Sequence, residues 1–436
     1  MNRNEKTIVG CVSMSHLGLL HATAFAEKGF GVICYDNDRQ VINNLQQGIL
    51  PITEPQLDEL FNISFNKMRF STALEPLKQC NVIFIACDVP TDNSGNSDLT
   101  IIHQLVNQVL SVISDNCCLI LLSQVPPGFT RAINFAKQKL FYQVETLIFG
   151  QAVERALYPE RFIIGVNDPT QSLPKDYLNL LSSFNCPILT MRYESAELAK
   201  IAINMFLVSS VSTTNLLADI CEKINADWQE IMPALKLDKR IGPYAYLNPG
   251  LGIAGGNLER DLNTVIQLGQ THHSNTNIVQ AWLEHSKYRQ EWVWQCLQQT
   301  AINKQVNPTI CILGLTYKAN THSIKNSPAI NLINRLKNYR IKVHDPVVTI
   351  KDTHAEQKTD MISAIRDADI VIIMTPWQEY QHLTIDLLGA TMKGEIVIDP
   401  YQVISSNDKQ ITKIKYFTLG KQSKKTDREK INYVET

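Results

Sequence analysis

Short, continuously apolar segments alternate with amphipathic helical segments over the first part of the chain. The pattern predicts strands over residues 7–12 and 31–35, with a helix over residues 18–28 between them. Further apolar runs predict strands over residues 82–86, 118–122, 146–149 and 162–166. Continuously apolar strands that alternate with helices are typical of a parallel sheet covered on both faces. The right-handed crossover rule then favours a doubly wound arrangement.

The same pattern returns near the end of the chain. Residues 309–315 predict a strand, residues 327–336 a helix with Pro328 in its first turn, and residues 341–346 a second strand that ends in an acid. Residues 368–376 resemble residues 80–90 in pattern. The fold class is therefore predicted as α/β, with two Rossmann-like, doubly wound parallel-sheet domains.

The region between these two domains is helical in pattern. Residues 194–226 contain neither Pro nor Gly, and a second helical stretch follows near residues 275–299. A helix of that length spans ~45 Å, which is long for a helix that covers a sheet. It either links the domains or forms a homodimer interface, because its apolar content exceeds what one face would bury. The predicted regions are an α/β domain over residues 1–190, a helical region over residues 191–300, a second α/β domain over residues 301–420 and a flexible tail over residues 421–436.

Composition narrows the class of protein. The 436 residues include 41 Lys and Arg against 42 Asp and Glu, so the net charge of −1 gives no support to nucleic-acid binding. No signal peptide and no membrane span are predicted, and the expected partners exclude nucleic acid and membrane. The ten cysteines are scattered without C-x-x-C pairs, which favours buried, reduced thiols in a cytoplasmic protein and predicts no metal site.

The first predicted strand, turn and helix have the layout of a dinucleotide-binding site. The turn retains only the third glycine of G-x-G-x-x-G, and serines replace the other two. Asp36 follows the second strand, where it would bind ribose hydroxyls and favour NAD over NADP; alternatively it is only a turn residue. The candidate cofactor-binding residues are Ser13, Ser15, His16, Leu17, Gly18 and Asp36.

Two further segments carry candidate chemistry. Lys200 and Asn204 are four residues apart, so they share one face of the predicted long helix. Residues 246–261 form a glycine-rich stretch that leads into a helix, and such loops let backbone approach a ligand closely. Asn257 is predicted as the N-cap of that helix. The stretch also supplies the candidate substrate-binding residues Tyr246, Gly252 and Gly255.

Together these motifs resemble the UDP-glucose and GDP-mannose dehydrogenase family over about residues 7–420. The segments that carry the likeness are residues 123–131, 159–165, 196–200, 240–243, 246–261 and 313–318. The resemblance implies an NAD-binding domain, a central dimerisation region and a nucleotide-sugar domain. It also implies oxidation of a sugar C6 alcohol to a carboxylate in two hydride transfers, through an aldehyde and a cysteine thiohemiacetal. A UDP-sugar is favoured as substrate.

The family's functional residues fall on individual positions of this sequence. The resemblance places catalytic roles on Glu145, Lys200, Asn204 and Asp261. It places on Arg240 the arginine that reaches a neighbouring subunit's substrate, and on Lys318 the lysine of the C-terminal domain, taken here as a cofactor-binding candidate.

The departures from the family pattern are as informative as the matches. Asn257 stands where the family has its nucleophilic cysteine, and an amide cannot act as a thiolate does. Asp88 stands where the family has glycine, and it adds negative charge where cofactor phosphates pass. Gln124, Phe149 and the pair His322 and Ser323 replace a threonine, a glutamate and an acidic pair.

Three hypotheses follow from this set of residues. The favoured one is an NAD-dependent oxidoreductase on a nucleotide sugar, limited to one two-electron step, in which Asn257 hydrogen-bonds the C6 oxygen. The alternative is a catalytically inactive member that binds a nucleotide sugar or acts as a partner subunit. In the third, full oxidation proceeds without a thiol, through the hydrated aldehyde.

Overall fold

A computed structural model describes residues 7–92, 97–300, 302, 307–351, 354–404 and 413–422. The chain divides into two compact units, Met1–Ile203 and Asn204–Thr436, and the boundary falls inside one long helix. Of the predicted tail, Lys421 is described and pairs with Asp227 at 2.5 Å, whereas residues 423–436 lie outside the described part.

The first unit is built on strands that are followed by helices along the chain. Its strands are β1 (Ile8–Val12), β2 (Gly31–Tyr35), β3 (Met68–Ser71), β4 (Val82–Ile85), β5 (Cys118–Leu121), β6 (Leu140–Gln143), β7 (Phe162–Val166) and β8 (Ile188–Arg192). Its helices are α1 (His16–Glu27), α2 (Arg39–Gln46), α3 (Leu57–Ser64), α4 (Thr100–Leu110), α5 (Phe129–Ala132), α6 (Ala152–Leu157) and α7 (Lys175–Ser182). The helix α8 (Tyr193–Ile224) follows β8 and continues into the second unit.

These strands form one sheet in the order β3-β2-β1-β4-β5-β6-β7-β8. Every neighbouring pair is parallel except β6 and β7, which are antiparallel. The order reverses at β1 and β4, so a crevice opens between the carboxyl ends of these two strands. Both faces are covered, because Val9 and Cys11 pack on one side while Val12 packs on the other. The predicted doubly wound sheet is confirmed.

The second unit begins with helices and ends in a smaller sheet. Its helices are α9 (Trp228–Leu237), α10 (Asn257–His272), α11 (Asn277–Gln290), α12 (Trp292–Gln299), α13 (Pro328–Arg335), α14 (Met361–Ile365) and α15 (Ile385–Thr391). Its strands are β9 (Thr309–Leu313), β10 (Arg340–His344), β11 (Glu356–Gln357), β12 (Ile370–Ile373), β13 (Ile396–Ile398) and β14 (Lys415–Phe417). They form a parallel sheet in the order β11-β10-β9-β12-β13-β14, so the predicted second domain is also confirmed.

The two sheets hold their first turn in the same way. In the first unit, the Ser13 N–H donates to Tyr35 O at 2.8 Å. In the second unit, the Gly314 N–H donates to His344 O, also at 2.8 Å. The acid after the second strand, Asp345, accepts the Leu315 N–H at 2.7 Å, and its counterpart in the first unit is Asp36. The same hydrogen bonds around the first turn of both units support the internal duplication indicated by the sequence.

Most predicted elements are confirmed, with three differences. Residues 146–149 do not form a strand, because the Leu147 N–H bonds to the Glu145 side chain and Ile148 O accepts the Gln151 N–H in a turn. The helix predicted over residues 275–299 is two helices, α11 and α12, which meet at Glu291. The first helix begins at His16 rather than at residue 18.

The long helix α8 confirms the helix predicted over residues 194–226. By length and apolar composition alone, it is also the one helix in the described part of the chain that would suffice to cross a membrane. The sequence-based expectation of no such span relied on the lack of an apolar run of about 20 residues, and this helix shows that length and composition alone do not exclude a span. Helices in the interior of globular proteins meet the same criterion.

A buried carboxylate fixes the amino-terminal part of α8 to the sheet. Glu197 accepts the Gly128 N–H at 2.6 Å and the Thr130 N–H at 2.8 Å, and its side chain is fully buried. Burial raises the pKa of Glu197, while the donors from Thr130 and Gly128 oppose that shift. The segment after β5 therefore depends on α8 to satisfy its backbone donors.

Replacing Glu197 tests this anchor. We expect Glu197→Ala to lower the free energy of unfolding by about 2 kcal/mol, because two backbone N–H groups lose their acceptor. Chemical denaturation measures the change. The matched control is Glu160→Ala, which removes an exposed carboxylate paired with Arg161 and costs less than about 1 kcal/mol. Equal effects of the two substitutions would contradict the anchoring role.

Candidate active site

The turn between β1 and α1 keeps the shape of a dinucleotide-binding turn without its first two glycines. Ser13 adopts a left-handed conformation with φ 73°, and its counterpart Gly314 has φ 90°. A Cβ at Gly18 would lie 1.8 Å from Ser13 O, so only glycine fits there. Because a serine in the left-handed region costs about 1 kcal/mol or more, Ser13 holds this turn under strain.

Asp36 holds the turn from the end of β2. One carboxylate oxygen accepts the Met14 N–H at 2.7 Å, and the other accepts the Asp38 N–H at 2.9 Å. The interpretation of Asp36 as a turn residue is thus confirmed. Its binding to a ribose stays a prediction, and the partial exposure of its side chain is compatible with that role.

The other predicted cofactor residues of this turn differ in which of their groups are available to a ligand. The Ser15 hydroxyl donates to Ala86 O at 3.0 Å, which joins the turn to the end of β4. His16 Nε2 lies 2.9 Å from Glu54 Oε1, and the His16 ring packs on Phe149 at 4.3 Å between centroids. The Leu17 side chain is buried in the core, so only its backbone is available to a ligand.

Asp88 lies just beyond β4, at the crevice where the strand order reverses. Its side chain is exposed to solvent, yet surrounding protein raises the pKa of its carboxyl through desolvation. His16, the Ser15 hydroxyl and the His16 N–H lower that pKa, whereas Glu145 raises it further. Asp88 comes two residues after Ala86, whose carbonyl accepts the Ser15 hydroxyl, so it lies near the first residues of α1.

Glu145 and Lys200, two of the predicted catalytic residues, form an ion pair in the first unit. Lys200 Nζ lies 3.6 Å from Glu145 Oε2, and both side chains are largely buried. The Leu147 N–H donates to the other oxygen of Glu145. Because Glu145 also acts electrostatically on Asp88, the pair lies on the side of the sheet where the dinucleotide turn is found.

Asn204 and Asp261 form the corresponding pair in the second unit. Asn204 Nδ2 donates to Asp261 Oδ2 at 2.5 Å, and Arg260 Nε lies 3.2 Å from Asp261 Oδ1. Arg260 and Asp261 are both buried. The carboxylate of Asp261 is thus held between an amide and a guanidinium, which fixes its orientation.

Asn257 does not cap its helix, so that prediction is wrong. It is the first residue of α10, and Gly256 occupies the N-cap position. A Cβ at Gly256 would lie 3.3 Å from Lys325 Nζ, and the Gly255 N–H donates to Lys325 O at 3.2 Å. The segment before α10 is therefore fixed by Lys325. The next residue, Asn326, donates from its side chain to Glu259 in α10.

The remaining predicted residues lie elsewhere in the second unit. Gly252 has φ 77° and approaches Ser286 O, and Gly255 has φ 90° beside the Tyr317 ring. Tyr246 O accepts hydroxyl donors from Ser210 and Thr214. Arg240 is exposed and pairs with Asp238 at 2.6 Å, and Lys318 Nζ lies 5.8 Å from the Tyr317 ring centre.

Sequence reasoning missed Glu54 and Glu197, which position other groups of the site. Glu54 is buried and accepts the Gly150 N–H at 2.9 Å in addition to its contact with His16. No motif marks a lone acid in a loop, so only the tertiary contacts identify it. Within the described ranges, no cluster of three or more His, Cys, Asp or Glu side chains has a geometry that would hold a metal ion.

The fold and these residues define a class of protein. A doubly wound sheet with a tight first turn and an acid after its second strand is typical of dinucleotide-binding domains. Residues 7–181 match the NAD binding domain of the UDP-glucose/GDP-mannose dehydrogenase family, residues 194–287 its central domain and residues 311–406 its UDP binding domain.

The chain belongs to the UDP-glucose/GDP-mannose dehydrogenase family. It is 30% identical over 428 residues to a UDP-glucose 6-dehydrogenase of Rickettsia bellii (strain RML369-C), a match that covers 94% of this chain and 98% of the relative. It is 27% identical to UDP-glucose 6-dehydrogenase TuaD of Bacillus subtilis (strain 168), over 95% of this chain and 93% of the relative. The match supports NAD as the cofactor.

The solved structure of a UDP-glucose dehydrogenase from Pyrobaculum islandicum shares the fold. It superposes with a TM-score of 0.82 at 24% sequence identity, covering 96% of this chain and 98% of that one. A UDP-N-acetyl-mannosamine dehydrogenase from Staphylococcus aureus has a TM-score of 0.77 at 22% identity, covering 95% of this chain and 99% of that one. Both confirm the two-sheet architecture.

Two serine substitutions test the strain in the dinucleotide turn. We expect Ser13→Gly to raise the free energy of unfolding by about 1 kcal/mol, because glycine adopts φ 73° without a steric penalty. Ser15→Ala, two residues away, should lower it by about 1 kcal/mol because the bond to Ala86 O is lost. Thermal and denaturant unfolding measure both. Destabilisation by Ser13→Gly would contradict the strain.

Proposed function

We propose that this protein oxidises the C6 alcohol of a UDP-sugar with NAD in a single two-electron step. The observation that carries the proposal is the largely buried Lys200–Glu145 ion pair in the unit that contains the dinucleotide turn. The matched UDP binding domain and the UDP-glucose 6-dehydrogenase relatives support the substrate class.

The residues of the dinucleotide turn fit NAD in shape. Gly18 allows the close approach of helix and strand, Ser13 keeps the left-handed turn, and Asp36 at the end of β2 is our proposed partner for the ribose hydroxyls. When bound, NAD supplies the acceptor for the hydride that leaves C6. The protein must therefore remove only the hydroxyl proton, and its side chains must stabilise the charge that develops on oxygen.

Each candidate residue has a distinct part in that proton transfer. Lys200 acts as the base or holds a water that does so. Glu145 is the second acid or base, and its Oε2 lies 3.6 Å from Lys200 Nζ. Asn204 donates to the developing alkoxide, and Asp261 holds its amide at 2.5 Å. The products are an aldehyde, a reduced cofactor and one proton.

Asn257 limits the reaction to this first oxidation. A thiolate would add to the aldehyde and hold it for a second hydride transfer, whereas an amide nitrogen is delocalised into its carbonyl and does not add. In our proposal Asn257 hydrogen-bonds the C6 oxygen instead. In the third hypothesis the hydrated aldehyde is oxidised without a thiol, so two hydrides are transferred per substrate. The number of NADH formed per substrate therefore distinguishes it from the single-step reaction.

The alternative function is that of an inactive family member which binds a nucleotide sugar or serves as a partner subunit. Two serines in the turn and the carboxylate of Asp88 favour it, because both oppose a bound pyrophosphate. The preserved Lys200–Glu145 and Asn204–Asp261 pairs favour the enzyme.

Counting cofactor turnover tests these functions. With limiting UDP-glucose and excess NAD, we expect one NADH per substrate and an aldehyde product. Asn257→Cys should raise the ratio to two with a carboxylate product, and Asn257→Ser is the control that restores no thiol. Absorbance at the NADH band and mass spectrometry of the sugar measure both. Two NADH per substrate from the unaltered protein would contradict the single step.

We further propose that the protein is a cytoplasmic homodimer formed through α8. Within the second unit, α8 presents large apolar side chains to solvent: Phe206, Leu216, Leu217, Ile220 and Ile224. Phe206 is 80% exposed, which is costly for an isolated chain in water. All ten cysteines are free, and nine are buried, which is typical of a reducing compartment.

A charge on this helix face tests the dimer. We expect Phe206→Glu to dissociate it, because two glutamates would be buried at a two-fold interface. Sedimentation velocity in detergent-free buffer measures the mass. Glu230→Gln, a substitution on the neighbouring helix α9 that removes a charge, is the control. The proposal would be contradicted if the unaltered protein is monomeric, or if it stays in solution only when detergent is added.

A further inference from the structure

The crevice between β1 and β4 contains a negative charge where a dinucleotide-binding site normally has none. In doubly wound sheets, ligands bind at the carboxyl ends of the strands where the strand order reverses. The pyrophosphate of a dinucleotide is then held by the N–H groups at the start of the first helix. In this chain that helix is α1, and Asp88 follows the neighbouring strand β4.

Asp88 already uses the groups that a pyrophosphate would use. The Ser15 hydroxyl and the His16 N–H both interact with its carboxylate and stabilise the charged form. The single proton of that hydroxyl is donated to Ala86 O at 3.0 Å, which holds the end of β4 against the turn, so the His16 N–H is the donor that Asp88 occupies. The helix α1 has 12 residues, so its positive end is well developed. Carboxylate and pyrophosphate are therefore competitors for one set of donors.

The other charged groups around Asp88 do not compensate for its charge. His16 acts electrostatically on Asp88, but its Nε2 also lies 2.9 Å from Glu54 Oε1. Glu145 adds a further negative charge on the other side, and its partner Lys200 is 3.6 Å from that carboxylate. A pyrophosphate carries two negative charges into this setting, so the repulsion by Asp88 acts on the bound cofactor.

We propose that Asp88 determines the affinity for NAD, by competing with the cofactor pyrophosphate for the first residues of α1, and that it couples NAD binding to uptake of a proton. A neutral carboxyl no longer repels the phosphates and also offers a donor to a phosphate oxygen. Binding therefore strengthens when Asp88 is protonated. This inference depends on the cofactor alone, and holds whether the reaction transfers one hydride, two or none.

The direction of the pH dependence follows from the carboxyl group. Desolvation raises the pKa of Asp88 above its usual value, and a bound pyrophosphate raises it further. Affinity for NAD is then highest below the pKa of the free protein and falls as the pH rises through the interval between the free and bound values. His16 also acts on Asp88, so the contributions of the two groups are separated by substitution.

Calorimetry of NAD binding at pH 5 and pH 8 tests the proposal without any turnover. At pH 8 we expect Asp88→Asn and Asp88→Gly to bind NAD about tenfold more tightly, since removal of one like charge at a few ångströms corresponds to at least that factor. Titrations in two buffers of different ionisation enthalpy should show proton uptake for the unaltered protein at pH 5 and a reduced uptake for Asp88→Asn.

Two control variants complete the experiment. His16→Gln should keep the proton uptake that Asp88 causes. Asp115→Asn removes an exposed aspartate that precedes β5, at the amino ends of the strands and away from the crevice at their carboxyl ends, and should leave affinity unchanged. The proposal is overturned if Asp88→Asn binds within twofold of the unaltered protein at pH 8. Loss of the proton uptake in His16→Gln alone would also overturn it, as would absence of NAD binding in both the unaltered protein and Asp88→Gly.

Discussion

Each unit of this protein depends on one contact, in which a carboxylate after the second strand accepts an N–H from the turn after the first strand. Asp36 holds Met14 in this way, and Asp345 holds Leu315, at 2.7 Å in each case. The contact fixes the direction in which the chain leaves the first strand. In the first unit that direction sets the start of α1 and, with it, the donors available to a cofactor.

The first unit keeps the shape of this turn but not its chemistry. Ser13 takes the conformation that glycine takes at position 314, so the backbone path is preserved at a steric cost. Asp88 then brings a negative charge to the same place. A site that preserves its geometry while its electrostatics change is expected to bind the same class of ligand with a different affinity, because shape and charge contribute separately to binding.

The chemistry beyond the cofactor turn consists of paired groups rather than isolated ones. Lys200 is held by Glu145, and Asp261 by Asn204 and Arg260. Paired buried charges avoid the cost of an isolated one, so these residues are stable in their positions without a bound substrate. The position of Asn257 at the first residue of α10 differs from the cap expected for it, since Gly256 occupies the cap position.

Hydrophobic periodicity was enough to predict the two sheets, the long helix α8 and the acids after the second strands, because each depends on residues close together in the chain. It failed at residues 146–149, where apolar side chains indicate a strand but the Glu145 side chain takes the Leu147 N–H. Glu54 and Glu197 carried no sequence signal, since their partners lie at Gly150 and at Gly128 and Thr130. Likewise the charge of Asp88 is evident from the sequence, but its place beside Ser15 and His16 depends on how β4 packs next to β1. Local patterns thus determined the elements, and long-range packing alone decided which polar groups meet.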